Sequence, residues 1–410
     1  MPGAGFKSAL PYALLALALA IRVAYVLAFP LNAALGSDMQ AYLETAIEIS
    51  NGQWSGRHFF QPVGLPLVLN FVHRLSPDWA LTLGLLQALL STATLMFLWL
   101  SARKAFGEKI ALAALALGTL HAPWIAYTGL ALAETIYTFF LALLLYFSLP
   151  LWRERKLGAA VSWGCCFAAA FWFKSTHILL LPLFLTGLFL TRQRQPSWLA
   201  MGALAVPFVM SLLAHGVLTQ STIGRFQLTP SAGGFNLVEG KCPVKHNIDS
   251  EGRGWMSPLY YQLGHRGEKR WEYRATDSAA FMAEGLKCIA ADPRVLVESL
   301  ENIPLLFFGN YLWPVNKLPW AWLGRLYELY FAAFAVAGLA AFALSRRREN
   351  ETGWIWLTPL IALFLCVYIF KSEIRFRIPF DLWVIPLSFR GWQLMIAALR
   401  GGFPTANARK

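Results

Sequence analysis

The chain has 410 residues, of which 57% are hydrophobic, 15% aromatic and only 14% charged. A soluble domain carries about 25% charged residues, so a soluble multi-domain enzyme is excluded; apolar runs of about 20 residues, the length that crosses a bilayer core, recur between short charged clusters. The balance of 35 Lys+Arg against 22 Asp+Glu, a net +13, does not point to nucleic acid, because many basic residues sit in short loops, where positive charge marks the cytoplasmic side.

Taken in order, the runs predict about ten transmembrane helices: 8–29, 80–101, 110–127, 131–151, 158–176, 178–191, 198–218, 321–344, 353–370 and 379–397. The fold class is an all-α polytopic membrane protein. With Lys7 inside, the clusters Arg103/Lys104/Lys109, Arg153/Arg155/Lys156, Arg192/Arg194 and Arg346/Arg347/Arg348 all fall on the cytoplasmic side, as do Arg400, Arg409 and Lys410. The first run also has the basic start and small residues of a cleaved signal peptide; Arg22 in its middle, and no clear polar cleavage region after it, argue for a retained span. No internal repeat of the kind found in many transporters is evident. The outer loops 30–79 and 219–320 are long and the others short. The chain thus divides into an N-terminal membrane module (1–218), an extracytoplasmic loop with a surface helix (219–320) and C-terminal membrane helices (321–410).

The first outer loop reads Gly36-Ser37-Asp38-Met39-Gln40-Ala41-Tyr42-Leu43-Glu44. Ser37 and Gln40 have capping-box spacing, which predicts a helix from Asp38. Met39, Tyr42, Leu43, Ala46 and Ile47 share one face of it. Such an amphipathic helix lies along the outer membrane surface with Asp38 in its first turn, either as an ordinary capping-region carboxylate or as a site group. Glu134, at the outward start of the fourth span in Leu130-Ala131-Leu132-Ala133-Glu134-Thr135, supplies context for the second reading. An ionisable group at the edge of an apolar helix is a functional candidate by default; a snorkelling surface carboxylate is the plain alternative.

Three cations stand at span ends on the same side: Lys174, near His177, then Arg375 and Arg377 in Lys371-Ser372-Glu373-Ile374-Arg375-Phe376-Arg377-Ile378-Pro379. Outer positive charge runs against the usual bias and needs a local reason. Phosphate is one, because guanidinium forks match its oxygens. Pairing with Glu373, Asp381 or a first-loop carboxylate is the other. In the long loop, Asp292-Pro293 predicts an N-cap and a first-turn proline, with a helix running to about Trp313. Cys242 and Cys288 face an oxidising compartment and are either a disulfide or two free thiols. Cys165, Cys166 and Cys366 lie within spans, as inert core residues.

These motifs together resemble the GT-C glycosyltransferases, most of all bacterial relatives of protein O-mannosyltransferases and of lipid A aminoarabinose transferase. The likeness is carried by Ser37-Asp38, by Gln61-Pro62-Val63-Gly64-Leu65-Pro66, by Ala133-Glu134-Thr135, by Glu373-Ile374-Arg375-Phe376-Arg377-Ile378-Pro379, and by Gly233-Gly234-Phe235-Asn236-Leu237 in the long loop. The resemblance implies a GT-C-like fold with Asp38 as catalytic base and Glu134 as a second acidic site residue. Aminoarabinose transferases have a phosphate-binding Lys in a Lys-Pro-Pro stretch where this chain has Gln61, which leaves Arg57, His58, Lys174, Arg375 and Arg377 as the expected lipid-phosphate ligands. Tyr42, Gln61 and Asn236 are expected to bind substrate, with Trp255 and Trp271 stacking on sugar rings. Many O-mannosyltransferases have an Asp-Glu pair where this chain has Asp38-Met39, so a protein acceptor is not implied.

The expected activity is an inverting glycosyl transfer from a polyprenyl-phosphate (undecaprenyl-type) monosaccharide to an acceptor hydroxyl of a lipid, glycan or protein. Asp38 takes the proton and the cations meet the leaving phosphate. The expected place is the outer face of a bacterial cytoplasmic membrane. No cofactor is expected, a divalent metal is left open, and the partners are membrane lipids and substrates, not nucleic acid. The rival classes are a lipid-linked sugar flippase or transporter, an O-antigen ligase-like enzyme and a non-catalytic assembly subunit.

Overall fold

A computed structural model of the chain describes residues 4–31, 37–154, 156–190, 198–242, 278–309, 321–345 and 353–400. The regular elements among them are all helical. In chain order the α-helices are α1 (Ala4–Ala28), α2 (Ser37–Ser50), α3 (Gly64–Leu75), α4 (Trp79–Phe106), α5 (Glu108–Thr119), α6 (Ala122–Ala126), α7 (Glu134–Glu154), α8 (Leu157–Phe171) and α9 (Leu180–Leu190). They continue as α10 (Trp198–Ile223), α11 (Ala232–Lys241), α12 (Ser278–Ala291), α13 (Val295–Glu298), α14 (Asn302–Phe308), α15 (Ala321–Ser345), α16 (Gly353–Ile369), α17 (Ile374–Arg377) and α18 (Asp381–Leu399).

Each of the ten apolar runs is helical, yet the helices are unequal. Six are long and apolar enough to cross a membrane, or seven if the bent pair Glu108–Thr119 and Ala122–Gly129 is one span. The 15-residue α8 reaches only about 22 Å at 1.5 Å per residue, short of a hydrocarbon core of about 30 Å. Among the described residues, six or seven helices have the length of a full crossing. On α10 the large apolar side chains Val206, Val209, Met210, Leu213 and Val217 point away from the protein, the pattern of a helix facing lipid.

The core forms where α4 packs against α1, α5 and α7, α8 against α7 and α10, and α15 against α18. Aromatic side chains fill it; Trp163 stacks on Phe167 and Phe184 with centroids 5.1 and 4.8 Å apart. The α15–α18 crossing is close because glycines meet. A Cβ on Gly391 would lie 1.8 Å from the Gly338 carbonyl oxygen, and small residues are what let helix backbones approach in a membrane. Of the span cysteines, Cys366 is buried and Cys166 half-buried, whereas Cys165 is on the surface of α8 and not in the core.

Arg22, which interrupts the first apolar run, has a structural reason. Its side chain is fully buried. Nε donates to Ser91 Oγ at 2.7 Å, and the terminal nitrogens donate to the carbonyls of Gly118 (3.1 Å), Thr119 (3.3 Å) and Ala18 (3.2 Å). Carbonyls in the last turn of a helix have no intrahelical partner, and a cation suits that end of the dipole. Arg22 thus satisfies the end of α5 where the chain bends by 51° into α6. Gln87 Nε2 then holds the carbonyls of Thr128 (3.3 Å) and Leu130 (2.9 Å). The two side chains fix the path that leads to Glu134.

The first outer loop folds close to expectation. Met39, Tyr42 and Ala46 on α2 are buried, Leu43 packs on the core, and Ile47 faces outward. The helix begins at Ser37 rather than Asp38. Gln40 Nε2 donates forward to Glu44 Oε1 at 2.9 Å and so does not close a capping box. After α2 the chain returns to the bundle through Gly64, whose N–H donates to the Trp172 carbonyl at 2.7 Å. A Cβ there would sit 2.3 Å from that oxygen; this close approach pins the turn at Gln61 to the turn at Lys174.

In the long loop α11 packs against α12, and Cys242 is bonded to Cys288. Asp292 Oδ1 accepts the Arg294 N–H at 3.1 Å, but the helix starts only at Val295 with Arg294 at its N-cap position, so Asp292-Pro293 forms the turn before the helix and not its cap. The helix that follows is broken by a 3-10 turn at Ser299–Glu301 and ends at Phe308; residues 310–320, with Trp313, lie outside the described ones.

Candidate active site

Five chain segments meet at one end of the bundle: the start of α2, the Gln61 turn, the start of α7, the Lys174 turn, and the Lys371–Arg375 stretch. Asp38 Oδ2 accepts from Arg375 Nη1 at 2.9 Å, across 337 residues of sequence, and Asp38 Oδ1 accepts from Gln61 Nε2 at 3.2 Å. Glu134 Oε1 accepts from Lys174 Nζ at 2.7 Å. Phe376 joins the two pairs, with Lys174 5.5 Å and Arg375 5.8 Å from its ring centroid. Helix geometry places both acids: Asp38 and Glu134 each sit in the first turn of a helix, where the dipole favours a carboxylate.

The cluster extends further than the sequence suggested. Glu373 pairs with Arg375 Nε at 2.7 Å and with Lys371 at 3.0 Å. Lys371 in turn reaches Glu239 of α11 at 2.7 Å. Burial by itself would push the Glu373 carboxyl up, but Arg375, Lys371 and Lys174 outweigh it and bring it down to about 2. Burial likewise works to lower the Lys371 ammonium, and Glu373 and Glu239 outweigh it, leaving it above its usual value. Tyr42 lies buried within reach of Asp38, Glu134 and Arg375; burial, then the two carboxylates, push its phenol well above the usual range. Tyr42 therefore stays a hydrogen-bond donor at the site at any physiological pH.

Behind Glu134 a small cavity is lined by Ser91, Thr94, Trp124, Tyr127, Thr135 and Thr138, so the acid has polar neighbours on its core side as well. Among the described residues no group of three or more His, Cys, Asp or Glu side chains is arranged to hold a metal ion.

Arg377 goes elsewhere. Two residues beyond Arg375 it is fully buried, its Nη2 bonded to Glu328 at 2.6 Å, its Nε 3.0 Å from Asp381 and its Nη1 on the Leu306 carbonyl at 3.3 Å. Asp381 also meets His121 Nε2 at 3.1 Å, and His121 Nδ1 meets Tyr327 Oη at 2.7 Å. Arg377 thus anchors α17 to the bundle and leaves Arg375 at the cluster. His58 is held inside the first loop, where its Nδ1 accepts the Ser55 N–H at 3.0 Å and its Nε2 contacts Glu48. Arg57 belongs to a short 3-10 turn, Gly56–Phe59, and its side chain lies outside the described ones. Asn236 is half-buried on α11, one turn before Glu239. Trp255 and Trp271 lie outside the described residues.

The sequence reading missed Lys371 and Glu239 as site residues. Lys371 stands inside a motif already singled out, with a surplus of outer positive charge as the available signal, whereas Glu239 lies two residues beyond the Gly233–Leu237 stretch. That signal could not find the Arg377 network, whose acids and His121 come from three separate segments.

The family described as dolichyl-phosphate-mannose-protein mannosyltransferase matches residues 61–217, a stretch that includes Gln61, Glu134 and Lys174 but neither Asp38 nor Arg375. No curated protein matches the chain in sequence. Among solved structures, the archaeal oligosaccharyltransferase AglB from Archaeoglobus fulgidus, in complex with an inhibitory peptide and a dolichol-phosphate, superposes with a TM-score of 0.57 at 13% identity. It covers 97% of this chain and 52% of its own. The Archaeoglobus fulgidus oligosaccharyltransferase tethered to an acceptor peptide gives 0.53 at 14% identity, with 100% and 52% covered. This chain shares its fold with the part of these oligosaccharyltransferases that it matches. The resemblance read from the motifs therefore holds at the level of the fold. ArnT from Cupriavidus metallidurans, bound to undecaprenyl phosphate, aligns at a TM-score of 0.42 and 14% identity, over 94% of this chain and 78% of its own. The chain spans about half the length of the oligosaccharyltransferases that share its fold.

Proposed function

We propose that this chain is an inverting glycosyltransferase that moves a monosaccharide from a polyprenyl-phosphate donor to an acceptor hydroxyl, at the outer face of a bacterial cytoplasmic membrane. The observation that carries the reading is the contact of Asp38 with Arg375. It sets a base and a phosphate-type cation side by side at one end of an apolar bundle, with a second acid–cation pair, Glu134 and Lys174, next to them. Support for a lipid-phosphate donor comes from the GT-C fold, whose archaeal member was solved with a dolichol-phosphate.

In the proposed reaction the acceptor hydroxyl gives its proton to Asp38 as its oxygen attacks the anomeric carbon. The bond from that carbon to the phosphate oxygen breaks, its electron pair staying with the polyprenyl phosphate. Arg375 and Lys174 meet the growing negative charge. Attack and departure on opposite faces invert the anomeric centre. Gln61 and Tyr42 are hydrogen-bonding neighbours for substrate hydroxyls, and acceptor recognition falls to the long loop on the α11 side.

The test is transfer from a labelled polyprenyl-phosphate sugar in reconstituted membranes. Asp38→Asn is expected to lower turnover by about 10²–10⁴-fold, the range for a positioned general base, and Arg375→Gln to weaken use of the donor. Undiminished transfer by a well-folded Asp38→Asn protein would overturn the assignment. Movement of the intact donor across the bilayer without any covalent transfer would favour a flippase instead.

A further inference from the structure

We propose that Asp38 and the donor phosphate occupy Arg375 in turn, so that the base is set free only when the donor is in place; this rests on reading the site as a lipid-phosphate glycosyltransferase. Each cation of the cluster already holds a carboxylate. Arg375 carries Asp38 and Glu373, Lys174 carries Glu134, and Lys371 carries Glu239 and Glu373. Among the described side chains of the cluster, four carboxylates therefore face three cations, one carboxylate in excess before any phosphate arrives. A phosphate entering with every pair closed meets net repulsion, so one pair has to open.

Burial decides which. The Asp38 side chain is 25% exposed, whereas those of Glu373, Glu239 and Glu134 are 19%, 9% and 3% exposed. A carboxylate that is left without its cation costs more the less water can reach it. Glu373 is also held from two sides, by Lys371 and by Arg375, and stays on Arg375 when one more contact is lost. Asp38 is the acid that gives way most cheaply.

The exchange also orients the base. Asp38 Oδ1 keeps its hydrogen bond from Gln61 Nε2. Oδ2, the oxygen now on Arg375, is the one released. It becomes the proton acceptor at the moment Arg375 Nη1 turns to the phosphate, and a proton from the acceptor hydroxyl goes to Oδ2 as the anomeric bond to phosphate breaks. In the donor-free state the same pair keeps the base occupied.

The pair predicts an effect on binding opposite to the effect on catalysis. Binding of undecaprenyl phosphate to the full-length protein in detergent micelles or nanodiscs is measured by native mass spectrometry or by competition with a fluorescent lipid phosphate. Asp38→Asn is expected to bind about tenfold more tightly than wild type, the scale of one ion pair lost at a partly exposed site. Asp38→Ala is expected to move the same way, which keeps the result independent of one variant's folding. The gain is expected to vanish in the Arg375→Gln background. Unchanged or weaker binding by both Asp38 variants, or a gain that survives Arg375→Gln, overturns the exchange. The reading of Asp38 as base stands or falls separately, on transfer activity.

Discussion

Removing the Lys174 ammonium isolates a carboxylate that the bundle has nearly sealed from water. Glu134 is 3% and Lys174 14% exposed at a separation of 2.7 Å. Two unit charges at that distance attract by about 6 kcal/mol at an effective dielectric of about 20, before desolvation is subtracted. Lys174→Met deletes the attraction and keeps the desolvation, so a cost of about 3–5 kcal/mol is expected. The double variant Lys174→Met/Glu134→Gln removes the buried charge as well, and recovers most of that loss, because an amide needs hydrogen bonds but no counter-ion. Thermal unfolding of purified protein in detergent reads both changes, and the difference between the single and double variants is the coupling. Transfer activity stays low in both, since Lys174 is proposed to meet the leaving phosphate. A double variant no more stable than Lys174→Met would show that the ion pair is not what the bundle depends on at this place.

Arg22→Met is expected to lower stability by about 3 kcal/mol, two or three charge-assisted hydrogen bonds being lost from a residue bonded to Ser91, Gly118 and Thr119; it should reduce turnover more than donor binding, because the bend it holds leads to Glu134 and not to Arg375. Acid should loosen the site. Glu373 titrates at about 2 in place of 4.5, so its contribution is fully present above about pH 4.5 and is lost as the pH falls toward 2. That shift corresponds to about 3 kcal/mol at most, and Glu373→Gln should flatten the acid side of a melting-temperature profile. Reduction of Cys242–Cys288, or the pair Cys242→Ser/Cys288→Ser, opens a loop closed over a 46-residue separation. The chain-entropy ceiling is about 4 kcal/mol, read as faster proteolysis of α11 and α12 while the remaining bundle keeps its protection.

Much of the fold was legible because the bilayer imposes one rule on every span. Its backbone must be satisfied internally, so ten apolar runs become ten helical segments whatever their neighbours are. The length of α8 was less legible, since hydropathy measures how apolar a run is and not where its hydrogen-bonding stops. Glu134 stands out because charge is scarce, as an acid at a span end is a functional candidate by default; Asp38, in the first outer loop, takes its site reading only from Glu134 and the family motifs. Arg22 stood out as well but yielded no role, because most of its partners are backbone carbonyls, two of them 96 and 97 residues away, and a carbonyl has no signature in a sequence.

The case of Arg375 and Arg377 separates what each level decides. Composition and charge placement by themselves determined a polytopic membrane protein with a few charges gathered at one end, and the motif placed two arginines among them. Residues two apart on a helix point about 200° away from each other, so when α17 docks, one guanidinium must face the cluster and the other the core. Sequence alone treats the two as equivalent. The tertiary structure chose between them, because Glu328 and Asp381 are in the core to receive Arg377, while Asp38 and Glu373 stand where Arg375 emerges.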